Sequence, residues 1–449
     1  MRQLIRFWVV VLVMALAATG CVAPAATTPG QGATAEKTTV SLWYQPPSGE
    51  ASACWLDNSV NPFNEQSDTI FVEAVAHPAA WDATRTAIAG GGGPDIVTTP
   101  GPSFAFELAK AGQLLALDDF AESEGWAEQF VPWALNLGKV DGKLYSLPAE
   151  LETLVLFYNK TLFEEHGWAV PETMDELVAL AETIHAEGII PFAHSNADWR
   201  PTNEHYVGEF LNQVAGPQKV YEALTGQRSW EDPDFVRGIS ILNEMQQKGW
   251  FMGGLDNYYT AGSVEAGSAF GSGEAAMQLT GTWHFGYINN YFGEAAGNDN
   301  EWDVVPVPSA SGEEIFDIGI GSTWSINAAT QHPEAAAQFL TYWFSPEVQG
   351  AMLAECGFSP GPVRMGADAL TGLDPREAKI FEELATSSVE GNYGYTTWTF
   401  WPPKSDVYIY EEIEKVWAGA MTVEEYLAGL QRLFAEELAA GDIPPIPER

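Results

Sequence analysis

The stretch from Thr39 to Val97 restricts the possible folds more than any other. It holds an apolar run with an aromatic tip, Thr39–Tyr44 (TVSLWY), then a second apolar run, Ile70–Ala76. A helical segment, Trp81–Ala89, follows, and then a short strand-like run, Pro94–Val97. Runs of this kind bounded by turn residues read as strands. Strand, helix and strand at this spacing predict a parallel α/β architecture. Gly90–Gly93 lies between helix and strand. Glycines there raise the idea of a phosphate cradle, but the Walker pattern is missing and no lysine follows, so the run reads as a helix stop.

A chain of 449 residues is too long for one small core and points to two or three domains. Its composition, 46% hydrophobic and 18% charged, is that of a folded chain. The net charge of −41 repels nucleic acid and anionic membrane surfaces.

The first residues read as a targeting segment. Arg2 and Arg6 precede an apolar run, Phe7–Ala18, that is short for a membrane span. It ends in Ala18-Thr19-Gly20-Cys21, which resembles a bacterial lipoprotein signal, although leucine is usual where Ala18 stands. The expectation is a signal over residues 1–21 with Cys21 lipidated. A flexible Ala/Thr/Pro/Gly tether then covers residues 22–37 and holds a soluble body outside the cytoplasm, anchored to the membrane. Two further cysteines, Cys54 and Cys356, are either bridged or two buried thiols. There is no CxxC pair, so no structural zinc site is expected.

Helix starts are legible further on. Thr173-Met174-Asp175-Glu176 and Thr422-Val423-Glu424-Glu425 are capping boxes. Pro333 suits a first helical position, and Ser345-Pro346-Glu347 opens another helix. The chain lacks GxSxG, HExxH and a GxGxxG after a strand. His194 and His205 share one polar loop, HSNADWRPTNEHY, and read there as surface residues. Glu150 and Glu152 do not stand out in so acidic a chain.

Four stretches, in order, carry a family resemblance: GGGPDIV, DGKLYSLPAELETLVLFYNKTLFEEHGW (Asp141–Trp168), FGSGEAAMQLTGTW (Phe270–Trp283) and PEAAAQFLTYWFSPEVQGAMLAECGFSPGPV. Together they resemble the extracytoplasmic sugar-binding proteins of ABC importers, the maltodextrin-binding type of solute-binding protein family 1. The resemblance implies an α/β fold of two lobes (type II), a hinge and a ligand cleft between the lobes. Lobe I would cover residues 38–147 and 314–363, and lobe II residues 148–313 and 364–449. YSLP (Tyr145–Pro148) and VVPVP (Val304–Pro308) would be the hinge crossings.

By the same resemblance, Trp283 stacks on a sugar ring at the end of a buried strand, and Glu152 accepts sugar hydroxyls. A pyranose C–H face is apolar and an indole face is large and electron-rich, so the pairing suits a carbohydrate. Tyr44, Gln45, Trp199 and Arg364 fall near the implied cleft, and one of Trp398 and Trp401 is a second stacking ring. Thr99 and Ser103 stand among the positions where the family places an aromatic, an acid and a base. The absence of those charges argues against a maltodextrin.

The reading is a monomeric binding protein and not an enzyme, without cofactor or metal, whose partners are a carbohydrate and the permease subunits of an ABC importer. Alternatives are the same fold with a polyamine or a polyol phosphate, or an exported glycoside hydrolase using two carboxylates.

Overall fold

The computed structural model describes residues 37–44, 51–77, 79–365 and 370–448. The expected signal, tether, Cys21 and Gln45 lie outside the described residues, apart from Lys37 at the tether's end. Three of the sheets organise the rest.

The first has five strands in the order Ile70–Ala76, Thr38–Tyr44, Ile96–Thr99, Thr323–Ile326, Ser146–Pro148. The first three are parallel, as the spacing predicts, and Thr323–Ile326 runs antiparallel to both neighbours. Helix Ala80–Ala89 packs on this sheet and ends at Gly90.

The second sheet has the order Trp302–Pro306, Leu154–Asn159, Ala275–Gly281, Ile190–Phe192. A three-stranded sheet, Tyr393–Tyr395, Phe316–Ile320, Leu151–Glu152, stands beside it. Both proposed capping boxes form, at Thr173 and Thr422. Each satisfies two orphan helix donors reciprocally.

Burial follows the sheets. One core gathers Val40, Leu42, Ile96, Leu147, Trp324 and Phe339, and a larger one gathers Phe157, Phe210, Met277, Ile318 and Trp417. Cys54 and Cys356 are disulfide-bonded, with Cα atoms 5.8 Å apart. The bridge ties helix Ala51–Asp57 to helix Pro346–Cys356.

Two of the chain segments that pass between the cores run side by side. One leaves the five-stranded sheet at Pro148 and enters the three-stranded sheet at Leu151, and the other runs back from Ile320 to Thr323. Ala149 N–H donates to Ser322 O (2.9 Å), and Gly321 N–H donates to Glu150 O (3.0 Å). YSLP therefore stands at a crossing.

VVPVP does not. Its first three residues pair with Val155–Phe157 inside the four-stranded sheet, and the return crossing is Ile320–Thr323. The resemblance implied a crossing at VVPVP, but Pro306 fits the edge of that sheet, where no ladder donor is required on the open side. The segment 314–363 accordingly divides. Phe316–Ile320 packs in the larger core and Thr323–Ile326 belongs to the five-stranded sheet.

Candidate functional site

The site is built where strand Ala275–Gly281 ends. Helix Ser263–Ser272 stops at Gly273, which sits in the left-handed region (φ 83°), and the strand that follows is buried along its whole length. Buried small and apolar residues make it a central strand, paired on both sides. It ends in the short 3-10 turn Thr282–Gly286, pinned by Thr282 N–H on Thr153 O (3.0 Å). Trp283 follows at once, half-buried, and folds back over Gly281. A Cβ on Gly281 would lie 2.0 Å from the indole ring.

Two further rings back Trp283. His205 is 5.3 Å away and Trp398 is 6.2 Å away by ring centroids, and these two are 4.9 Å from each other. Trp398 is presented by the turn Thr397–Phe400, and its ring lies over Gly319, where a Cβ would stand 3.1 Å from Cζ2. Its Nε1 is buried without a hydrogen-bond partner. Burial depresses the His205 imidazole to about 3, so it stays neutral. Tyr287 adds a hydroxyl beside Trp283, raised in pKa by burial and then by Tyr291 and Glu152.

The carboxyls come next. Glu152 lies on the three-stranded sheet opposite Gly319, and its side chain fills the place of a Cβ on Gly321. Burial first, and then the charge and hydrogen bond of Glu150, hold Glu152 well above the usual carboxylate range. Burial raises Glu150 too. Each of these carboxyls therefore holds its proton more tightly than an exposed one. Further buried pairs lie behind: Glu204 with Asp406, where Thr397 Oγ1 donates to Glu204 Oε2 (2.8 Å), and Glu209 with Asp317.

The other expected site residues fall differently. Tyr44 is buried and stacks on Trp55 at 4.5 Å, inside the smaller core. Thr99 Oγ1 donates to Gly101 O (3.0 Å), and Ser103 Oγ donates to Trp401 O (2.7 Å). Both hydroxyls are thus engaged within the protein.

Trp401 is fully buried against Trp230 (5.2 Å), so of the two tryptophans Trp398 is the one beside Trp283. Arg364 is exposed, with its backbone N–H on Gln129 O (2.8 Å). Trp199 is half-buried and meets Trp81.

His194 and His205 correct the reading of HSNADWRPTNEHY as a surface loop. Helix Thr202–Ala215 begins inside it and is almost wholly buried. His194 packs against Tyr206 at 4.0 Å. Tyr206, Phe210 and Val214 on one side, with Val207 and Leu211 next to them, are the helical signal that was available.

Two α/β cores joined by paired crossings, with an aromatic and carboxyl cluster beside the junction, define a two-lobed architecture. The chain belongs to the bacterial extracellular solute-binding protein family, whose model matches residues 59–350.

Among similar proteins is an uncharacterised ABC transporter extracellular-binding protein of Pyrococcus horikoshii, 26% identical over 301 residues. That match spans 64% of this chain and 62% of the relative, less than two thirds of the latter's length. A multiple sugar-binding protein of Streptococcus mutans is 25% identical over 322 residues, 68% of this chain and 71% of the relative. The solved structure of a chitin oligosaccharide binding protein superposes with a TM-score of 0.74 at 22% identity, covering 90% of this chain and 99% of that one. The last likeness concerns the fold alone.

Proposed function

We propose that this protein is an extracytoplasmic receptor that captures a mono- or oligosaccharide between its lobes and delivers it to an ABC importer. The observation that carries the reading is the half-buried Trp283, backed by His205 and Trp398 and flanked by Tyr287 and the Glu150–Glu152 pair. A flat indole accepts the apolar face of a pyranose, and neighbouring carboxyls accept its hydroxyl hydrogens. The sugar-binding relative of Streptococcus mutans supports a carbohydrate ligand. The lobes are the five-stranded sheet with its core and the rest of the folded chain, and the hinge is the pair 148–151 and 320–323. Cys21 carries the lipid anchor.

The protein acts by binding alone. Glycosidases hold two carboxyls apart across the scissile bond, roughly 5 to 9.5 Å. Glu150 instead adds to the burial that keeps Glu152 raised, an arrangement of neighbours and not of two acids facing each other across a bond.

A thermal-shift and calorimetric screen against mono- and oligosaccharides tests the reading. A saccharide should raise the melting temperature of the parent, and Trp283→Ala should lose about 2 kcal/mol or more of its binding. Equal binding by Trp283→Ala would remove the site from this place, and no saccharide bound by the parent would remove the function.

A further inference from the structure

Trp81 has no part in the site described above, yet it makes a contact between the two lobes. It sits in the first turn of helix Ala80–Ala89, which packs on the five-stranded sheet. Its ring meets Trp199 edge to face, 5.2 Å between centroids and 68° between planes. Trp199 lies in the loop ahead of helix Thr202–Ala215, part of the larger core.

Both neighbours of Trp199 are anchored. Asp198 Oδ2 accepts from Ser263 N–H (2.6 Å) and Ser263 Oγ (2.9 Å). A Cβ on Gly262 would stand 2.6 Å from that carboxylate, so a larger residue there would push the Asp198 side chain aside. On the other side, Arg200 forks onto Glu414 (2.9 and 2.7 Å) and reaches Glu411 (3.1 Å). Charge-assisted bonds on both flanks hold the loop in one shape before any ligand arrives. One turn beyond Trp81, Arg85 lies over the Phe104 ring at 5.2 Å.

The same loop runs into the helix that carries His205, and so to Trp283. Trp199 and His205 are only six residues apart along the chain, and from this we place the Trp81–Trp199 pair at one end of the aromatic surface proposed to hold the ligand. Rings in edge contact leave no gap for a sugar between them.

We propose that Trp81 and Trp199 form a clasp between the lobes that closes one end of the cleft and limits the length of the saccharide accepted. This rests on the carbohydrate reading above. A longer chain must part the pair, whereas a short one fits beneath it.

Two measurements test it. The first needs no ligand: far-ultraviolet circular dichroism of the parent, Trp81→Phe, Trp199→Phe and the double variant. Rings coupled in solution give non-additive difference spectra, and additive spectra overturn the clasp. The second is calorimetry with a saccharide series of one linkage, from one to six units. The parent should fall off beyond a short length, and Trp81→Ala should gain about tenfold for the longer members relative to the shortest. A parent that binds the series while Trp81→Ala keeps the same length profile overturns the length limit. A parent that binds no saccharide overturns the carbohydrate reading and the length limit with it, and the spectra still decide whether the lobes clasp.

Discussion

Gly281 decides where Trp283 can lie. Its φ of −88° suits any residue, so the backbone does not require glycine. The indole does, because a Cβ would stand 2.0 Å from the ring. Gly281→Ala should therefore push Trp283 aside and weaken ligand binding by about tenfold or more, while secondary structure stays as in the parent. Titration calorimetry beside circular dichroism checks this, and undiminished affinity would show that the ring's position is unimportant.

At this scale Trp283 was legible, because small residues ahead of a buried strand and a tryptophan after it survive as a linear pattern. The neutral His205 and the raised carboxyls of Glu150 and Glu152 were not. Both states are set by burial among partners distant in sequence, such as Trp398 and Gly321.

Helices show where close packing overrides intrinsic preference. Helix Ser263–Ser272 carries Gly267 and Gly271 on one face, against Tyr291. A Cβ on Gly271 would fall 2.0 Å from the Tyr291 carbonyl oxygen, a backbone atom with no rotamer to escape into. Replacing glycine by alanine in a helix ordinarily stabilises by about 0.5–1 kcal/mol. Gly271→Ala should instead destabilise by roughly 1–3 kcal/mol, the range for overpacking. Denaturant unfolding gives the sign directly, and a more stable variant would contradict the packing described.

Helix ends were readable wherever a local rule applies, as at Thr173, Ser345 and Thr422. The start of helix Thr202–Ala215 was missed because its first residues are polar, and they are buried by partners outside the segment. Asn203 Nδ2 reaches Tyr410 O (3.1 Å), and Thr397 Oγ1 reaches Glu204.

For the molecule as a whole, buried acids tie stability to pH. Burial lifts Glu209 to about 8 and Asp406 to about 6, against ordinary values of 4.5 and 3.8. A raised carboxyl keeps its proton in the native state while the unfolded chain loses it. Its contribution is full below the unfolded value and is lost as pH rises through the folded one. The imidazoles of His194, His205 and His284 are depressed by desolvation and act the other way, losing their contribution as pH falls below about 6.5.

Between about pH 6.5 and 8 the carboxyl effect therefore stands alone. Stability should fall across that window, and Glu209→Gln should flatten the fall. Urea unfolding at several pH values reads both slopes, and parallel curves for parent and variant would exclude Glu209 as a source. The α/β class and the two-lobed plan were legible from four ordered segments. The placement of the return crossing was not, since it is set by strand pairing between segments distant in the chain.

The order of strands in the five-stranded sheet also governs when the chain can fold. Thr323–Ile326 sits between Ile96–Thr99 and Ser146–Pro148, and its Thr323 hydroxyl meets that of Thr99 across 224 residues. Until Ile326 has been made, the sheet lacks its fourth strand and Ser146–Pro148 has no neighbour in it to pair with. Contacts so distant along the chain form late. The four-stranded sheet, built within 154–306, needs nothing from beyond that range, so the two sheets are completed at different points of the chain.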